Sequence, residues 1–144
     1  KMKKLLLLLS FVAVSLTSCS NDDDSSSTVA VNEANLMKKW YYVSYEVAGQ
    51  TIPYDNLACG RDYTEFKANG VAVEYTVWAC DPLDADTDTG SWSLSGNTIS
   101  GTIFGETVTG TVSSLTATTL QITDTFDFDD DGTEDTVKVN YSTN

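Results

Sequence analysis

The sequence contains no histidine, and this absence excludes much of hydrolytic and metal chemistry. Without an imidazole the chain cannot assemble a Ser-His-Asp or Cys-His catalytic set or a common zinc site. Paired carboxylates of the kind used in glycoside hydrolysis are the remaining option, because Glu65 and Glu74 are predicted to lie on neighbouring strands. We interpret both as outward-facing strand residues. We therefore predict that the protein is not an enzyme and has no catalytic residues.

Basic residues are scarce: the 144 residues include eight lysines and arginines against 21 aspartates and glutamates, for a net charge of −13. A surface of this sign repels polyanions, which excludes nucleic acid and anionic lipid head groups as partners. It is compatible with cation binding or simply with solubility.

Long apolar runs are lacking, apart from a short one near the N-terminus. Leu5–Leu16 is too short to cross a bilayer comfortably as a helix, and it follows Lys1, Lys3 and Lys4. This combination is typical of a secretory signal peptide, to which we assign residues 1–18. Removal of this leader would leave five basic and 21 acidic residues, a net charge of −16.

The end of the leader, Leu16-Thr17-Ser18-Cys19, resembles the lipobox of bacterial lipoproteins. The resemblance implies that Cys19 is lipidated and becomes the N-terminus of the mature protein. Several acyl chains hold a protein on a membrane effectively permanently. The alternative is an ordinary signal peptide that happens to precede a cysteine.

Residues 19–31 are polar and contain the acidic triplet Asp22–Asp24, followed by serines. Such a segment cannot bury enough surface to order itself, so we predict a flexible tether. An acidic cluster directly after the lipidated cysteine resembles the surface-export signal of Bacteroidetes-type lipoproteins. The resemblance implies a lipid-anchored outer-membrane protein that faces the cell exterior. Attachment to the periplasmic leaflet is the alternative.

Cysteine is rare, and once Cys19 is assigned to lipid only Cys59 and Cys80 remain. In an oxidising cell envelope such an even pair is most simply a disulfide, which we predict here. Closing a loop of ~20 residues stabilises a fold by about 3 kcal/mol through the unfolded state. A thiolate metal site would need more ligands than the chain offers.

Residues 32–144 form the predicted folded domain, and Gly90–Ile99 shows its typical unit. Trp92 and Leu94 alternate with serines, as in a strand with one buried face, and Gly96-Asn97 provides the turn. Strands of this kind are predicted at 40–47, 62–67, 71–78, 90–95, 98–103, 106–113, 119–128 and 135–141.

Only one helix is predicted, over residues 32–39, with Asn32 as its N-cap. Residues 50–61 and 80–89 are predicted to be loops. Eight antiparallel strands without a helix to cover them close most simply into an up-and-down barrel, since closure removes exposed edges. We therefore predict an all-β fold, an eight-stranded meander barrel with a short N-terminal helix. Its interior is either filled by side chains or holds one small ligand.

Residues 34–141 resemble the bacterial lipocalin-like domain lipoproteins. The resemblance is most specific in Gly90-Ser-Trp-Ser-Leu-Ser-Gly-Asn97 and in the two cysteines, and Leu36–Trp40 and Asp62–Gly70 also contribute to it. It implies a small meander barrel that binds small hydrophobic molecules and has no established catalytic residues.

The segment Asp127–Asp135 carries the one spacing that points to metal chemistry. It offers oxygen ligands at positions 1, 3, 5, 7 and 9 of a tight loop, as Ca²⁺ takes in EF-hand-type loops. Lys138 stands at position 12, where an EF-hand needs glutamate, so the segment resembles the shorter calcium loops of β-hairpins. An ordinary acidic turn is the alternative. The predicted ligands of this weak, structural calcium site are Asp127, Asp129, Asp131, the carbonyl of Thr133, and Asp135.

Aromatic side chains are the candidates for a cavity lining, with barrel core as the alternative role. We predict a monomeric binding module for a small apolar or amphipathic molecule, without assigning its ligand-binding residues. The runner-up is a structural or adhesive accessory with a filled barrel. Glycan binding would instead need an exposed, coplanar row of aromatic rings. The aromatic candidates are Trp40, Tyr42, Tyr45, Tyr63, Tyr75, Trp78, Trp92 and Phe126.

Overall fold

The computed structural model describes residues 27–144, so the predicted leader, Cys19 and most of the tether lie outside the described residues. The described chain contains one short α-helix, a single 3₁₀ turn (Ala68–Gly70) and nine strands. Their bounds are α1 (Glu33–Leu36), β1 (Lys39–Val47), β2 (Gln50–Pro53), β3 (Tyr63–Lys67), β4 (Val71–Cys80), β5 (Leu83–Ser95), β6 (Thr98–Ile103), β7 (Glu106–Leu115), β8 (Thr119–Phe126) and β9 (Asp135–Ser142).

The strands form one antiparallel sheet in which each strand from β3 onward pairs with the next along the chain. The sheet closes because β1 also pairs with β9, so that Tyr41 lies opposite Tyr63 on one side and Ser142 on the other. The predicted eight-stranded up-and-down barrel is confirmed in β1 and β3–β9. Pairing of β1 with β9 leaves the short strand β2 at an edge and avoids the long exposed edges that invite aggregation.

The loop predicted over residues 50–61 is wrong in its first part, which forms β2. This strand pairs with the second half of β1, on the edge where β3 pairs with the first half. Ala48 and Gly49 have positive φ angles of 50° and 78°, and their turn reverses the chain directly after β1. Pro53 ends β2, a position where proline is tolerated because the strand is at an edge.

The loop predicted over residues 80–89 is also wrong, because β4 continues to Cys80 and β5 begins at Leu83. The aspartates of this segment have a low intrinsic preference for strands. Pairing with β4 overrides it, with Asp88 opposite Glu74 in the ladder. The β4–β5 hairpin is therefore one long ribbon with a tight turn.

Glu74 lies on the inward face of β4, and not on the outward face where it was predicted. Ala72, Glu74 and Thr76 line the barrel interior, and the alternate side chains lie on the outer face. Val77 is nevertheless buried on that outer face, because Gly60 packs against its side chain. The outward orientation predicted for Glu74 is therefore wrong. Val77 is buried by the chain between β2 and β3 (residues 54–62, the covering segment) and not by the barrel core.

One end of the barrel is closed by a packed core that includes Leu36 and Trp40. The Trp40 side chain is fully buried, and its indole Nε1 donates to the carbonyl oxygen of Leu36 at 2.9 Å. We call this the closed end. It carries α1 and the turns that follow β3, β5 and β7.

The helix α1 has only four helical residues, fewer than the predicted range 32–39. Asn32 caps it as predicted, since its side chain accepts a hydrogen bond from Asn35 N at 2.9 Å. The chain enters β1 at Lys39, soon after Leu36, which is fully buried in the closed-end core. Within residues 27–144, no helix is long and apolar enough to cross a membrane.

Candidate ligand-binding cavity

A cavity of about 350 Å³ lies inside the barrel, beyond the closed-end core. Each of the eight barrel strands contributes to its lining, so it is the barrel interior and not a surface groove. The end opposite the core carries the β1–β2, β4–β5, β6–β7 and β8–β9 connections, and we call it the open end. The lining side chains Phe104, Val108 and Phe126 are exposed there, which marks the mouth of the cavity.

Aromatic and aliphatic side chains together form most of the walls. Phe66 and Trp92 pack with their ring centroids 4.8 Å apart, and Trp92 Nε1 donates to Lys67 O at 2.9 Å. Tyr42 packs against Tyr141, also at 4.8 Å. Such paired rings are held in fixed positions, and rigid, mainly apolar walls with few polar groups are typical of small-molecule sites.

Glu74 supplies a buried carboxylate to this wall. Its side chain is only 8% exposed, and it accepts hydrogen bonds from Tyr42 Oη at 2.8 Å and Thr64 Oγ1 at 2.6 Å. Burial raises the pKa of Glu74 to about 7, although the two hydrogen bonds favour the ionised form. The carboxyl group therefore changes charge near neutral pH.

The segment between β2 and β3 supports the same wall. The Tyr54 ring stacks on Tyr42 at 4.8 Å, and its hydroxyl donates to the buried carboxylate of Asp62. Asp62 also accepts a hydrogen bond from Val77 N at 2.9 Å, which links the segment to β4. Burial, together with the hydrogen bond to Asp62, raises the pKa of Tyr54 well above its usual value.

The predicted disulfide between Cys59 and Cys80 is confirmed, with a Cα–Cα distance of 5.5 Å. It joins the covering segment to the end of β4 near the open end. The bond therefore holds the segment that carries Tyr54 and Asp62 against the cavity wall.

The aromatic candidates divide between the two faces of the barrel. Tyr42, Tyr45, Trp92 and Phe126 line the cavity, whereas Trp40 lies in the closed-end core. The remaining three, Tyr63, Tyr75 and Trp78, are absent from the lining. About half of the candidates therefore have the role that the ligand-binding prediction requires.

The outer tyrosines do not form the coplanar row expected of a glycan platform. Tyr63 and Tyr75 stack on one another with centroids 5.1 Å apart and an angle of 18° between the rings. Lys39 Nζ covers the Tyr63 ring at 4.2 Å, and the guanidinium of Arg61 covers the Tyr41 ring at 4.7 Å. Ring faces occupied in this way are not free to stack on sugars.

The predicted calcium ligands are only partly brought together. Carboxylate oxygens of Asp127, Asp129 and Asp135 lie within 4.8 Å of one another. The Asp131 carboxylate is not part of this group and accepts a hydrogen bond from Thr133 N at 2.7 Å. The calcium site stays a prediction.

We expect millimolar Ca²⁺ to raise the melting temperature if this site forms. At tenfold excess over Kd, a bound ion stabilises the folded state by roughly 1.4 kcal/mol, or several degrees. The variant Asp129→Asn should lose the rise, while Asp81→Asn, which removes an aspartate from the β4–β5 turn, should retain it. Thermal melts with and without Ca²⁺ measure the shift. An unchanged melting temperature in the wild type would show that the segment is an ordinary acidic turn.

Two carboxylates of the cavity, Glu74 and Asp124, were missed by sequence reasoning. Asp124 has the same parity in β8 as the apolar residues Ile122 and Phe126, and all three line the cavity. This alternation indicates from the sequence alone that Asp124 lies on the inward face of β8. For Glu74 the signal was hidden, because the valines of β4 made its own face look like the solvent side.

A closed antiparallel barrel with an internal cavity, a packed core at one end and a short N-terminal helix defines a lipocalin-like fold. The family profile described as "Lipocalin-like domain" matches residues 36–122, and the chain belongs to this family. The predicted family resemblance is therefore confirmed.

Two solved structures share the fold. One is a lipocalin-like protein from Bacteroides uniformis, 18% identical, with a TM-score of 0.56 over 76% of this chain and 99% of its own. The other is an uncharacterized protein from Bacteroides eggerthii, 13% identical, with a TM-score of 0.53 over 74% and 98% of the two chains. These likenesses establish the fold alone. No curated protein sequence matches the chain significantly.

Proposed function

We propose that the protein is a non-enzymatic binding module whose barrel holds one small apolar or amphipathic molecule. The cavity of about 350 Å³ is the observation that carries the proposal. Small-molecule sites are typically concave spaces of roughly 300–1,000 Å³ with mainly apolar walls and a few placed polar groups. Tyr42, Phe66 and Trp92 supply such walls, and Glu74 supplies a polar group.

A structural accessory with a filled barrel is less well supported. The packed core, with Leu36 and Trp40, lies at the closed end and leaves the rest of the interior hollow. At the mouth, Phe104, Val108 and Phe126 present apolar side chains to solvent. Burying such side chains under an apolar ligand is favourable, which supports ligand binding over a purely structural role.

We also propose that Cys19 anchors the protein through lipid to the outer membrane, on the exterior face, as the leader and the acidic tether suggest. Val29 N donates to Leu115 O at 2.9 Å, so the tether joins the barrel at its closed end. The anchor would then lie on the closed-end side, and the mouth would stay clear of the lipid surface. A monomer suffices for this function, because one chain builds the whole cavity.

Blocking the mouth tests the binding proposal. Val108 lines the cavity and is 47% exposed, so Val108→Trp should fill the entrance without disturbing the core. We expect at least a roughly tenfold loss of affinity for a neutral, polarity-sensitive dye, which corresponds to about 1.4 kcal/mol. Fluorescence titration of the dye measures it.

Thr107→Trp is the matched control, because it places the same side chain on the exposed outer face of β7, one residue away. It should leave dye affinity unchanged, and both variants should melt near the wild-type temperature. Wild-type protein that binds no dye, or a Val108→Trp variant that binds it unchanged, would contradict the proposal.

A further inference from the structure

The charged groups of the cavity are all negative. Among the described residues that line it, only Glu74 and Asp124 carry a charged side chain. The two ion pairs within residues 27–144, Lys67–Glu65 and Lys138–Glu46, involve neither of them. The cavity therefore presents carboxylates without a cation from the protein itself.

Glu74 retains free acceptor capacity towards the cavity. Each of its two oxygens accepts one hydrogen bond, from Tyr42 and Thr64 respectively, whereas an ionised carboxylate can accept about four. A buried carboxylate is costly unless it is paired with a positive group. A ligand that brings such a group would satisfy the remaining acceptor sites of Glu74.

The surrounding rings favour the same kind of group. Tyr42, Tyr45 and Tyr141 line the cavity together with Glu74. The faces of such rings attract ammonium groups, with an energy of about 0.5–2 kcal/mol that grows as water is excluded. Aromatic rings beside an ionised carboxylate are a suitable environment for an alkylammonium head.

The barrel is also polarised along its axis. Three of the five basic residues of the described chain, Lys38, Lys39 and Lys67, lie at the closed end. Of the other two, Lys138 pairs with Glu46 at 3.6 Å and Arg61 lies over the Tyr41 ring, and neither lines the cavity. The open-end segments 81–88 and 127–135 contain acidic residues and no basic ones. A mouth lined by one sign of charge raises the local concentration of ions of the opposite sign and repels those of its own.

We infer that the cavity selects an amphiphile with a cationic amine head, its ammonium group held at Glu74 and its apolar tail against the aromatic walls. This inference rests on the proposed function, since it names the class of ligand for the same cavity. Anionic amphiphiles of the fatty-acid type are disfavoured by Glu74, Asp124 and the acidic open end alike.

Three probes with the same tail and different heads test the inference: octylamine, octan-1-ol and octanoate. Isothermal titration of the purified protein at pH 8, where Glu74 is ionised, should show octylamine binding roughly tenfold or more tighter than octan-1-ol. Octanoate should bind more weakly than octan-1-ol. Added salt should reduce the advantage of the amine, because it screens the charges at the mouth.

The variant Glu74→Gln should reduce the preference for octylamine over octan-1-ol by roughly tenfold, because the amide carries no charge to pair with the ammonium group. Asp124→Asn is a second variant with the same expected direction. Glu65→Gln removes a carboxylate from the outer face of β3 and should keep the preference. Equal binding of amine and alcohol, or tightest binding of octanoate, would overturn the inference and leave the proposed function standing. If none of the three binds but the neutral dye does, the inference alone fails; if the dye does not bind either, the proposed function fails as well.

Discussion

Replacing Trp40 by alanine is expected to lower the free energy of unfolding by about 4 kcal/mol, the largest effect of any substitution proposed for this chain. Trp40 is fully buried at the closed end, so its removal leaves a cavity that the surrounding strands cannot fill. It also removes the donor to Leu36 O, the carbonyl that ends α1. A domain stable by about 5–15 kcal/mol would lose a large part of its stability.

Trp78→Ala is the matched control, because it deletes the same side chain from a position that is 60% exposed. Trp78 Nε1 donates to Asp86 at 2.9 Å, but this contact lies at the surface, and we expect a loss of less than about 1 kcal/mol. Chemical denaturation of the two variants measures the difference. Similar losses at the two positions would show that the closed-end core is not what stabilises the barrel.

Much of the fold was predictable from the sequence because its signals are local. Asn69-Gly70 and Gly96-Asn97 are turns whose residues accept positive φ at low cost, and Trp92 and Leu94 follow the alternation of a half-buried strand. A series of such hairpins without a covering helix has closure as its simplest arrangement. The prediction of an eight-stranded barrel followed from these features alone.

The two strand segments that were missed depend on long-range contacts. The aspartates of β5 form a strand because β4 offers them a complete ladder, which no local propensity reveals. Residues 50–53 form β2 because the Ala48-Gly49 turn directs them back along β1, although Pro53 argues against a strand. In both cases hydrogen bonding to a neighbouring strand outweighed the low strand propensity of the residues.

The candidate site was harder to predict than the fold. Its carboxylates belong to strands whose alternation was either ambiguous, as for Glu74, or overlooked, as for Asp124. The disulfide explains part of the ambiguity, because it holds the covering segment over Val77 and so buries an apolar side chain on the outer face of β4. Two buried faces remove the contrast from which an inward face is normally recognised.

The second large expected effect is a loss of stability on raising the pH, caused by Glu74. The pKa of this carboxyl rises from 4.5 to about 7 on folding, so the folded state holds its proton more tightly than the unfolded state. Its stabilising contribution is complete below pH 4.5 and is lost as the pH rises through 7. The difference in pKa corresponds to about 3 kcal/mol of unfolding free energy.

Glu74→Gln removes this titration and keeps a side chain that can accept from Tyr42 or Thr64. The variant should therefore gain about 3 kcal/mol relative to the wild type between pH 4.5 and pH 8. Denaturant titrations at several pH values give the difference curve, in which titrations common to both proteins cancel. Glu65→Gln controls for net charge and should retain the wild-type fall. If the difference in unfolding free energy between wild type and Glu74→Gln does not change with pH, the carboxyl group remains hydrated in the cavity.

A bound ammonium ligand should diminish the fall in wild-type stability with rising pH, because it stabilises the ionised carboxylate. The loss of stability at raised pH and the binding of a cationic ligand are thus two consequences of the same buried carboxyl group, that of Glu74.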